Sequence, residues 1–234
     1  MPRAARESAG WRMAAVAAAL VFCAAAATAH AGEAIWRALT DEVVPLITRG
    51  ELNHAERTAR QALAEARRSF GETHANTAVS LANVALALRF RGKHAEAEKY
   101  YRQALAIREK NRGADNPATA LLTANLAEVI LAQHRYAEAE ALQRRVLPVF
   151  EKAYGDDPKT ATLLNNLGAA LRAQGRYGDA EPVLRRALVI KENTLGPYSP
   201  SVANTLNNLA EVVEAQGRND EAARMRLRAA AIAK

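Results

Sequence analysis

Residues 161–202 read ATLLNNLGAALRAQGRYGDAEPVLRRALVIKENTLGPYSPSV, and the pattern of this stretch recurs along most of the 234-residue chain. Its alanines return every 41 or 42 residues, at Ala55, Ala97, Ala139, Ala180 and Ala222. Its asparagines return with the same period, at Asn83, Asn125, Asn166 and Asn208. A fixed period of this length predicts an array in which one supersecondary unit is stacked on itself.

The first half of each unit is predicted to be an amphipathic helix. Leu164, Leu167 and Leu171 are three and four residues apart, which is the spacing of one apolar helix face. A glycine follows this helix in four repeats and supplies the left-handed residue that ends it. His134 stands where the remaining glycine is expected, and histidine is one of the residues enriched in that conformation.

The second half of each unit is predicted to be a second helix. Ala180 and Ala187 are small, so two helices can approach closely along this face. Pro182 is expected near the first turn, where its missing N–H leaves no hydrogen bond unmade. The unit closes with a capping residue followed by proline, at Asn116-Pro117, Asp157-Pro158 and Ser199-Pro200.

This repeated residue pattern resembles the tetratricopeptide repeat, in its 42-residue kinesin light chain variety. Residues 161–202 carry nearly all of the family's L-N-N-L-A, Q-G-R-Y-x-E-A-E and R-A-L-x-I wording. Residues 78–119, 120–160 and 203–234 carry most of it, and residues 36–77 carry it weakly because Glu42 and Pro45 interrupt the first helix. The prediction is an all-α, right-handed superhelical solenoid of five antiparallel helix pairs. For function, the resemblance implies a protein-interaction scaffold.

The first 31 residues lie outside the repeat and have the organisation of a secretory signal peptide. Three arginines precede the uncharged apolar run of residues 13–27, and Ala29-His30-Ala31 fits a cleavage site before Gly32. We therefore expect residues 32–234 to form the mature solenoid, periplasmic or secreted after cleavage following Ala31. An uncleaved anchor helix is the alternative, although the run is short for a bilayer span. Lipidation at Cys23 is disfavoured because Phe22 precedes it.

Composition is compatible with one helical array and shows no linker that would mark a domain boundary. The whole chain has 32 basic and 25 acidic residues and a net charge of +7. Its single cysteine lies within the predicted signal peptide, so the exported chain could form no disulfide and would depend on helix stacking. The first helix is expected over residues 32–50, with Trp36, Leu39, Val43 and Leu46 as its buried face.

The resemblance also implies a concave groove lined by the first helices, in which a protein or peptide segment would bind. Counting along the repeat register places twelve polar side chains there: Asn83, Arg89, Asn125, Glu128, Asn165, Asn166, Arg172, Asn204, Asn207, Asn208, Glu211 and Glu214.

Two interpretations of the asparagine row remain open. A carboxamide both donates and accepts hydrogen bonds, so the row could pair with the backbone of an extended peptide. Alternatively, each carboxamide ties its helix to the preceding repeat. The predicted groove contains arginines but no lysine, which argues against the carboxylate-clamp type that binds a C-terminal carboxylate.

The groove also carries both positive and negative charges. Such a groove would suit a partner segment with one acidic and one basic stretch.

No residue pattern predicts catalysis, a metal site or a cofactor. His54, His74, His94 and His134 occupy different positions in the repeat, and no paired histidine–carboxylate spacing is present. Carboxylates such as Glu98 and Glu140 recur in each unit, which favours pairing between repeats over acid–base chemistry. We therefore expect a protein that is not an enzyme.

The charge pattern and the chain's end raise three further partners: nucleic acid, an anionic envelope polymer and a second copy of the chain. Basic pairs recur on second helices, at Arg67-Arg68, Arg144-Arg145 and Arg185-Arg186, and could meet nucleic acid or an anionic envelope polymer. Interleaved acidic residues and scarce aromatics make nucleic acid unlikely to bind. The last helix has no following repeat to cover it, so the segment from Arg224 to Lys234 could pair with a second copy unless its arginines form a polar cap.

Overall fold

The computed structural model of this protein describes residues 31–232, and all regular secondary structure in that range is α-helical. The predicted signal peptide therefore lies outside the described residues, apart from Ala31, and stays a prediction. The helices are α1 (residues 31–48), α2 (Leu52–Phe70), α3 (Ala75–Phe90), α4 (His94–Arg112), α5 (Pro117–Ala132), α6 (Tyr136–Tyr154), α7 (Pro158–Ala173), α8 (Tyr177–Leu195), α9 (Pro200–Ala215) and α10 (Asn219–Ile232).

The chain divides into two compact units, Met1–Arg91 and Gly92–Lys234. In the second unit each helix from α4 to α10 packs against the next one along the chain, and short turns make the neighbours antiparallel. In addition, α5 packs on α7 and α7 on α9, so the first helices of successive repeats lie side by side. The predicted all-α solenoid of stacked helix pairs is confirmed.

The apolar face predicted for the first helices forms the core of the second unit. Leu164, Leu167 and Leu171 are buried, as the periodicity required. Leu167 and Leu171 of α7 belong to one cluster with Ala180 and Leu184 of α8. Residues from α9 and α10 complete that cluster, so each repeat buries apolar surface that its neighbour supplies.

The predicted turns and caps are also present. His134 has a φ of 62°, in the left-handed region that the equivalent glycines occupy. Asn116 and Asp157 accept hydrogen bonds from the backbone N–H groups of residues 118 and 159, at 3.0 and 2.8 Å. Ser199 caps α9 in the same way. His74 caps α3 through Nδ1, a role that the sequence pattern did not suggest.

The prediction for Pro182 was wrong. Helix α8 begins at Tyr177, so Pro182 lies inside the helix, beyond its first turn. Its missing N–H therefore removes one hydrogen bond, to the carbonyl of Gly178. The side chain of Pro182 lies on the exposed side of α8, where water can reach that carbonyl.

In the first unit, the buried face predicted for α1 is largely correct. Trp36, Val43 and Leu46 are buried, and the Trp36 indole N–H donates to Ser80 Oγ at 2.7 Å. Gly32 lies close to α2, since a Cβ at this position would be 2.3 Å from Ser69 Oγ. The helix ends at residue 48, two residues before the predicted end.

Candidate functional site

The candidate site in the second unit is the surface formed by α5, α7 and α9, which we call the first-helix face. Ten of the twelve predicted groove residues lie on these helices and within the second unit: Asn125, Glu128, Asn165, Asn166, Arg172, Asn204, Asn207, Asn208, Glu211 and Glu214. Asn83 and Arg89 lie on α3, in the first unit. The repeat register therefore places most of the predicted residues on neighbouring first helices.

Carboxamides join neighbouring helices across this face. Asn166 Nδ2 donates to Glu128 Oε1 at 2.9 Å, which joins α7 to α5. Asn208 Nδ2 donates to Asn165 Oδ1 at 3.2 Å, and Asn165 Nδ2 donates to Asn204 Oδ1 at 3.4 Å, which joins α9 to α7. Asn166 and Asn208 thus tie their helices to the preceding repeat, as the structural interpretation of the row proposed. Their role in peptide binding stays a prediction.

The asparagine row is not uniform. Asn125 and Asn83 occupy the same register position as Asn166 and Asn208, yet neither side chain has a hydrogen-bond partner among residues 31–232. Asn207, exposed on α9, is likewise without one in that range. The side chains of Asn83 and Asn125 are half-buried, so their donors and acceptors remain at the surface. The row therefore combines carboxamides that are used internally with carboxamides that are available.

The charged residues of the face pair with one another. Arg172 of α7 forms an ion pair with Glu211 of α9. Glu214 pairs with Arg226 of α10 at 2.5 Å, and hydrogen bonding from Arg226 lowers the pKa of the Glu214 carboxyl. The charges expected to meet acidic and basic stretches of a partner are thus neutralised within the protein. In the first unit, the Arg89 guanidinium lies 4.8 Å from the centroid of the Phe90 ring.

A pocket of about 230 Å³ opens between α5 and α7. Phe150 of α6 and Leu163 of α7, both buried, and Ala124 contribute its apolar wall, and Leu121 is 38% exposed beside them. The polar lining consists of Asn125, Glu128, Lys159, Thr162 and Asn166. Sequence reasoning missed this pocket, although one signal was available. The register position of Phe150 is occupied by Arg108 and Lys191 in the neighbouring repeats, so a large apolar residue there is specific to one repeat.

Away from this face, the recurring glutamates pair between repeats. Glu98 of α4 accepts hydrogen bonds from Gln133 Nε2 at 2.8 Å and from Arg135 Nη1 at 2.6 Å. One repeat further, Glu140 accepts from Gln174 Nε2 and Arg176 Nη1, both at 2.8 Å. We call this arrangement the repeat lock. Each carboxylate fastens its second helix to the turn of the next repeat.

The electrostatics of the repeat lock follow from its donors. Burial raises the pKa of the Glu140 carboxyl, but hydrogen bonds from Arg144, Gln174 and Arg176 outweigh burial and lower that pKa overall. The same balance lowers the pKa of Glu98, where Gln133, Arg102 and Arg135 are the donors. Lowered pKa values keep these carboxylates charged at neutral pH. Their role is therefore explained by packing between repeats.

The last repeat does not continue the repeat lock. Ala223 occupies the register position of Glu181, and Leu227 occupies that of Arg185. Arg226 takes the position of the buried Leu184 and pairs with Glu214 instead of entering a core. Arg228 pairs with Glu192 at 2.5 Å. The exposed end of the second unit is thus partly covered by ion pairs, as expected of a polar cap.

Comparison with known families accounts for this geometry. The profile of the Tetratricopeptide repeat matches residues 46–110, 116–193 and 160–234, which together cover most of the chain. The chain belongs to the tetratricopeptide repeat family. The predicted resemblance is confirmed, and the TPR fold is that of a protein-interaction scaffold.

Solved structures share the TPR fold at low sequence identity. The nearly identical TPR-like repeats assigned to a kinesin light chain of Podosopora anserina give a TM-score of 0.69 at 23% identity, covering 84% of this chain and 93% of that chain. BtubC (BKLC) from P. vanneervenii gives 0.69 at 24% identity, with 81% and 76% covered. MamA from Desulfovibrio magneticus RS-1 gives 0.60 at 16% identity, with 85% and 94% covered. No curated protein matches the chain.

Features of a metal site or a membrane span are absent from residues 31–232. No group of three or more His, Cys, Asp or Glu side chains in this range could hold a metal ion. No helix of the described part is long and apolar enough to cross a membrane. All six arginines of the recurring basic pairs have a carboxylate partner, for example Arg144 with Glu140 at 2.8 Å and Arg185 with Glu221 at 2.6 Å. These three recurring basic pairs therefore leave no uncompensated arginine for a phosphate group within residues 31–232.

Proposed function

We propose that this TPR protein is exported and binds a protein or peptide segment on its first-helix face, as an adaptor or assembly factor of the bacterial envelope. The observation that carries the binding part is the row of asparagines on adjacent helices. In this row Asn125 lies beside a pocket, and its donors and acceptors have no partner in the part of the chain that the structure describes. The fixed spacing of stacked helices means that the scaffold loses little entropy on binding. Export rests on the signal-like residues 1–31 alone.

Site-specific photocrosslinking in cells tests the binding surface. A photoreactive residue is placed at Thr162 or Asn207 on the first-helix face, and at the exposed Gln103 on α4 as the control position. We expect the same partner protein to be captured from Thr162 and Asn207 and to be absent from Gln103. Equal capture from all three positions would contradict the proposal.

Cell fractionation and N-terminal sequencing test export separately. We expect the mature protein to begin at Gly32 and to be found in the periplasm or the medium. A protein that retains Met1 and stays in the cytoplasm would refute export while leaving the binding surface untouched. A chain that retains residues 1–31 and sediments with membranes would favour the uncleaved anchor.

A homo-oligomeric structural protein is the second candidate. The observation in its favour is Leu227 on α10. Its side chain is 74% exposed, and an apolar residue replaces the arginine that earlier repeats carry at this register position. Capture of only this chain from the photoreactive positions, together with a mass that depends on concentration, would favour it. A basic surface that binds anionic polymer gains no such observation, because the recurring arginine pairs are already neutralised.

A further inference from the structure

Resting on the proposed function, we infer that the pocket between α5 and α7 is the anchor site of the first-helix face. Its occupant is one aliphatic side chain, of leucine or methionine size, from an extended and uncharged peptide segment. The free carboxamide of Asn125 pairs with the backbone of that segment beside the anchor residue. The α7–α9 part of the face contributes less to recognition, because most of its polar groups are used internally, with Asn207 as an exception among the described residues.

The size and lining of the pocket select a single apolar side chain. Small-molecule sites typically enclose roughly 300–1,000 Å³, whereas this pocket encloses about 230 Å³. Its inner surface is formed by Leu121, Ala124, Phe150 and Leu163, which offer dispersion contacts and no hydrogen bonds. Filling a desolvated apolar pocket with one anchor residue is the usual way in which a short segment gains affinity.

The charge distribution of the face favours an uncharged segment. Arg172 is paired with Glu211, and Glu214 is paired with Arg226. Glu128, at the end of the pocket nearest α7's asparagines, accepts a hydrogen bond from Asn166. A charged partner group would have to compete with these internal pairs and would lose its hydration for little return. A neutral segment meets a face on which Arg172, Glu211 and Glu214 are already compensated. Lys159, which also lines the pocket, is exposed and has its ammonium 4.5 Å from the centroid of the Tyr154 ring, so its charge remains in solvent.

Asn125 is the polar group placed to orient such a segment. It lies on the wall of the pocket, one helix turn after Leu121, and its carboxamide has no partner among the described residues. One carboxamide can donate to a backbone carbonyl and accept from a backbone N–H of an extended chain. At the equivalent position one repeat later, Asn166 donates to Glu128 and has less capacity for a ligand. The two positions of the row therefore have different tasks.

A random dodecapeptide phage library provides the probe. Peptides are selected on the full mature chain, and their affinities are then measured for Leu121→Asp and Ala124→Leu, which respectively charge and fill the pocket. Leu121 is partly exposed, so its replacement leaves the core intact, and circular dichroism confirms folding of both variants. Val189→Asp is the matched control, because it makes the same kind of change at an exposed position on α8.

The expected result is a set of peptides that share one leucine, isoleucine or methionine among uncharged neighbours. Their affinity should fall at least about tenfold for both pocket variants and for Asn125→Ala, and should stay unchanged for Val189→Asp. Selected peptides that share an aromatic or charged anchor would overturn the inference. A library that yields no binder would also overturn it.

Two further outcomes distinguish the pocket from the rest of the first-helix face. Peptides that lose affinity for Asn207→Ala but bind the pocket variants normally would overturn the anchor site and leave peptide binding on the first-helix face standing. Peptides that ignore every substitution on α5, α7 and α9 would overturn both.

Discussion

The Cγ atom of Leu184 occupies the space that a side chain at Gly168 would need. A Cβ built on Gly168 of α7 would lie 2.4 Å from Leu184 Cγ on α8, closer than carbon atoms can approach. Both residues are buried, and Leu184 lies in the cluster that joins the four helices α7 to α10. The previous repeat has Ala127 and Gln143 at the same two positions. The glycine on α7 therefore makes the space that the leucine on α8 fills, and each residue depends on the other.

Gly168→Ala should lower the free energy of unfolding. Overpacking of a well-packed core typically costs roughly 1–3 kcal/mol, although alanine's better helix propensity recovers part of that cost. Urea unfolding followed by circular dichroism measures the change. A stability equal to that of the parent would mean that α7 and α8 can separate without loss.

The paired substitution with Leu184→Ala checks that the two residues act on one another. Leu184→Ala alone should cost about 2–5 kcal/mol, since it leaves a cavity. Adding Gly168→Ala to that variant should cost less than it does in the parent, because the space is then free. Strictly additive losses in the double variant would argue against a shared contact.

Gln143→Leu should stabilise the protein. Gln143 is only 1% exposed, and neither its Nε2 nor its Oε1 has a hydrogen-bond partner in the structure. An unsatisfied buried polar group costs about 1–3 kcal/mol, and leucine removes that cost. The register equivalent Leu184 packs against Gly168, whereas Ala127 stands at the facing position here, so closer packing offsets part of the gain. The expected net gain is smaller than the full cost and is measured as a shift of the denaturant midpoint.

Gln174→Leu is the matched control for that substitution. Gln174 Nε2 donates to Glu140 at 2.8 Å, so the same chemical change removes a hydrogen bond from the repeat lock. We expect this variant to be less stable than the parent. A loss of stability in both glutamine variants would show that Gln143 is satisfied in solution.

Acid should loosen the repeat lock. The folded-state pKa of Glu140 is lowered, so its contribution is present above the pKa of the unfolded chain and is lost as pH falls through the folded value. Glu140→Gln should therefore cost roughly 1–3 kcal/mol at neutral pH and less below about pH 4. Stability measured between neutral pH and pH 3 gives the difference between the two chains.

Asp179→Asn separates the lock from ordinary surface pairing. Asp179 binds the same Arg176 guanidinium at 2.7 Å but is exposed to solvent. Exposed pairs contribute about 0–1 kcal/mol, so this substitution should have little effect at any pH. If Asp179→Asn were as costly as Glu140→Gln, the position of Glu140 between repeats would have no special importance.

Alkaline pH should stabilise the contact between α8 and α9. Lys191 is 3% exposed, and its ammonium donates to Thr205 Oγ1 at 2.8 Å and to the Ser201 carbonyl at 3.3 Å. Burial lowers its pKa to about 8. Between about pH 8 and 10.5 the unfolded chain holds the proton that the folded chain has released, so the free energy of unfolding rises with pH, by roughly 2–3 kcal/mol.

Lys191→Met removes this group while keeping a flexible side chain of similar length. The difference in unfolding free energy between the parent and the variant cancels the titration of all other lysines and tyrosines. We expect that difference to shift in favour of the parent from pH 8 to pH 10.5. A difference that is constant across this range would show that Lys191 has an ordinary pKa.

Local features of the repeat were predictable because they depend on neighbouring residues. The apolar face of α7, the caps Asn116 and Asp157 and the left-handed His134 each follow from spacing or from one residue's backbone preference. The placement of Pro182 near the first turn was wrong because α8 begins at Tyr177, five residues before the proline. Helix starts without a capping side chain, such as that of α8 at Arg176, leave little trace in sequence.

The composition of the first-helix face was predictable, but its chemistry was not. The register placed Asn125 and Asn166 at the same position. Only the packed helices show that Asn166 donates to Glu128, while Asn125 has no hydrogen-bond partner within residues 31–232. Likewise, the sequence pattern did not predict the ion pair between Arg172 and Glu211. These contacts join residues about 40 positions apart, so side-chain lengths and the distance between two helices decide them.

The sequence by itself determined the period, the helical class and the identity of the repeat, because helix faces and turns obey rules that act within a few residues. The tertiary structure alone decided which polar groups remain available and where a pocket opens. Those properties depend on how α5, α6 and α7 pack around Phe150, and an apolar cavity exists only where large side chains of three helices fail to fill the space between them.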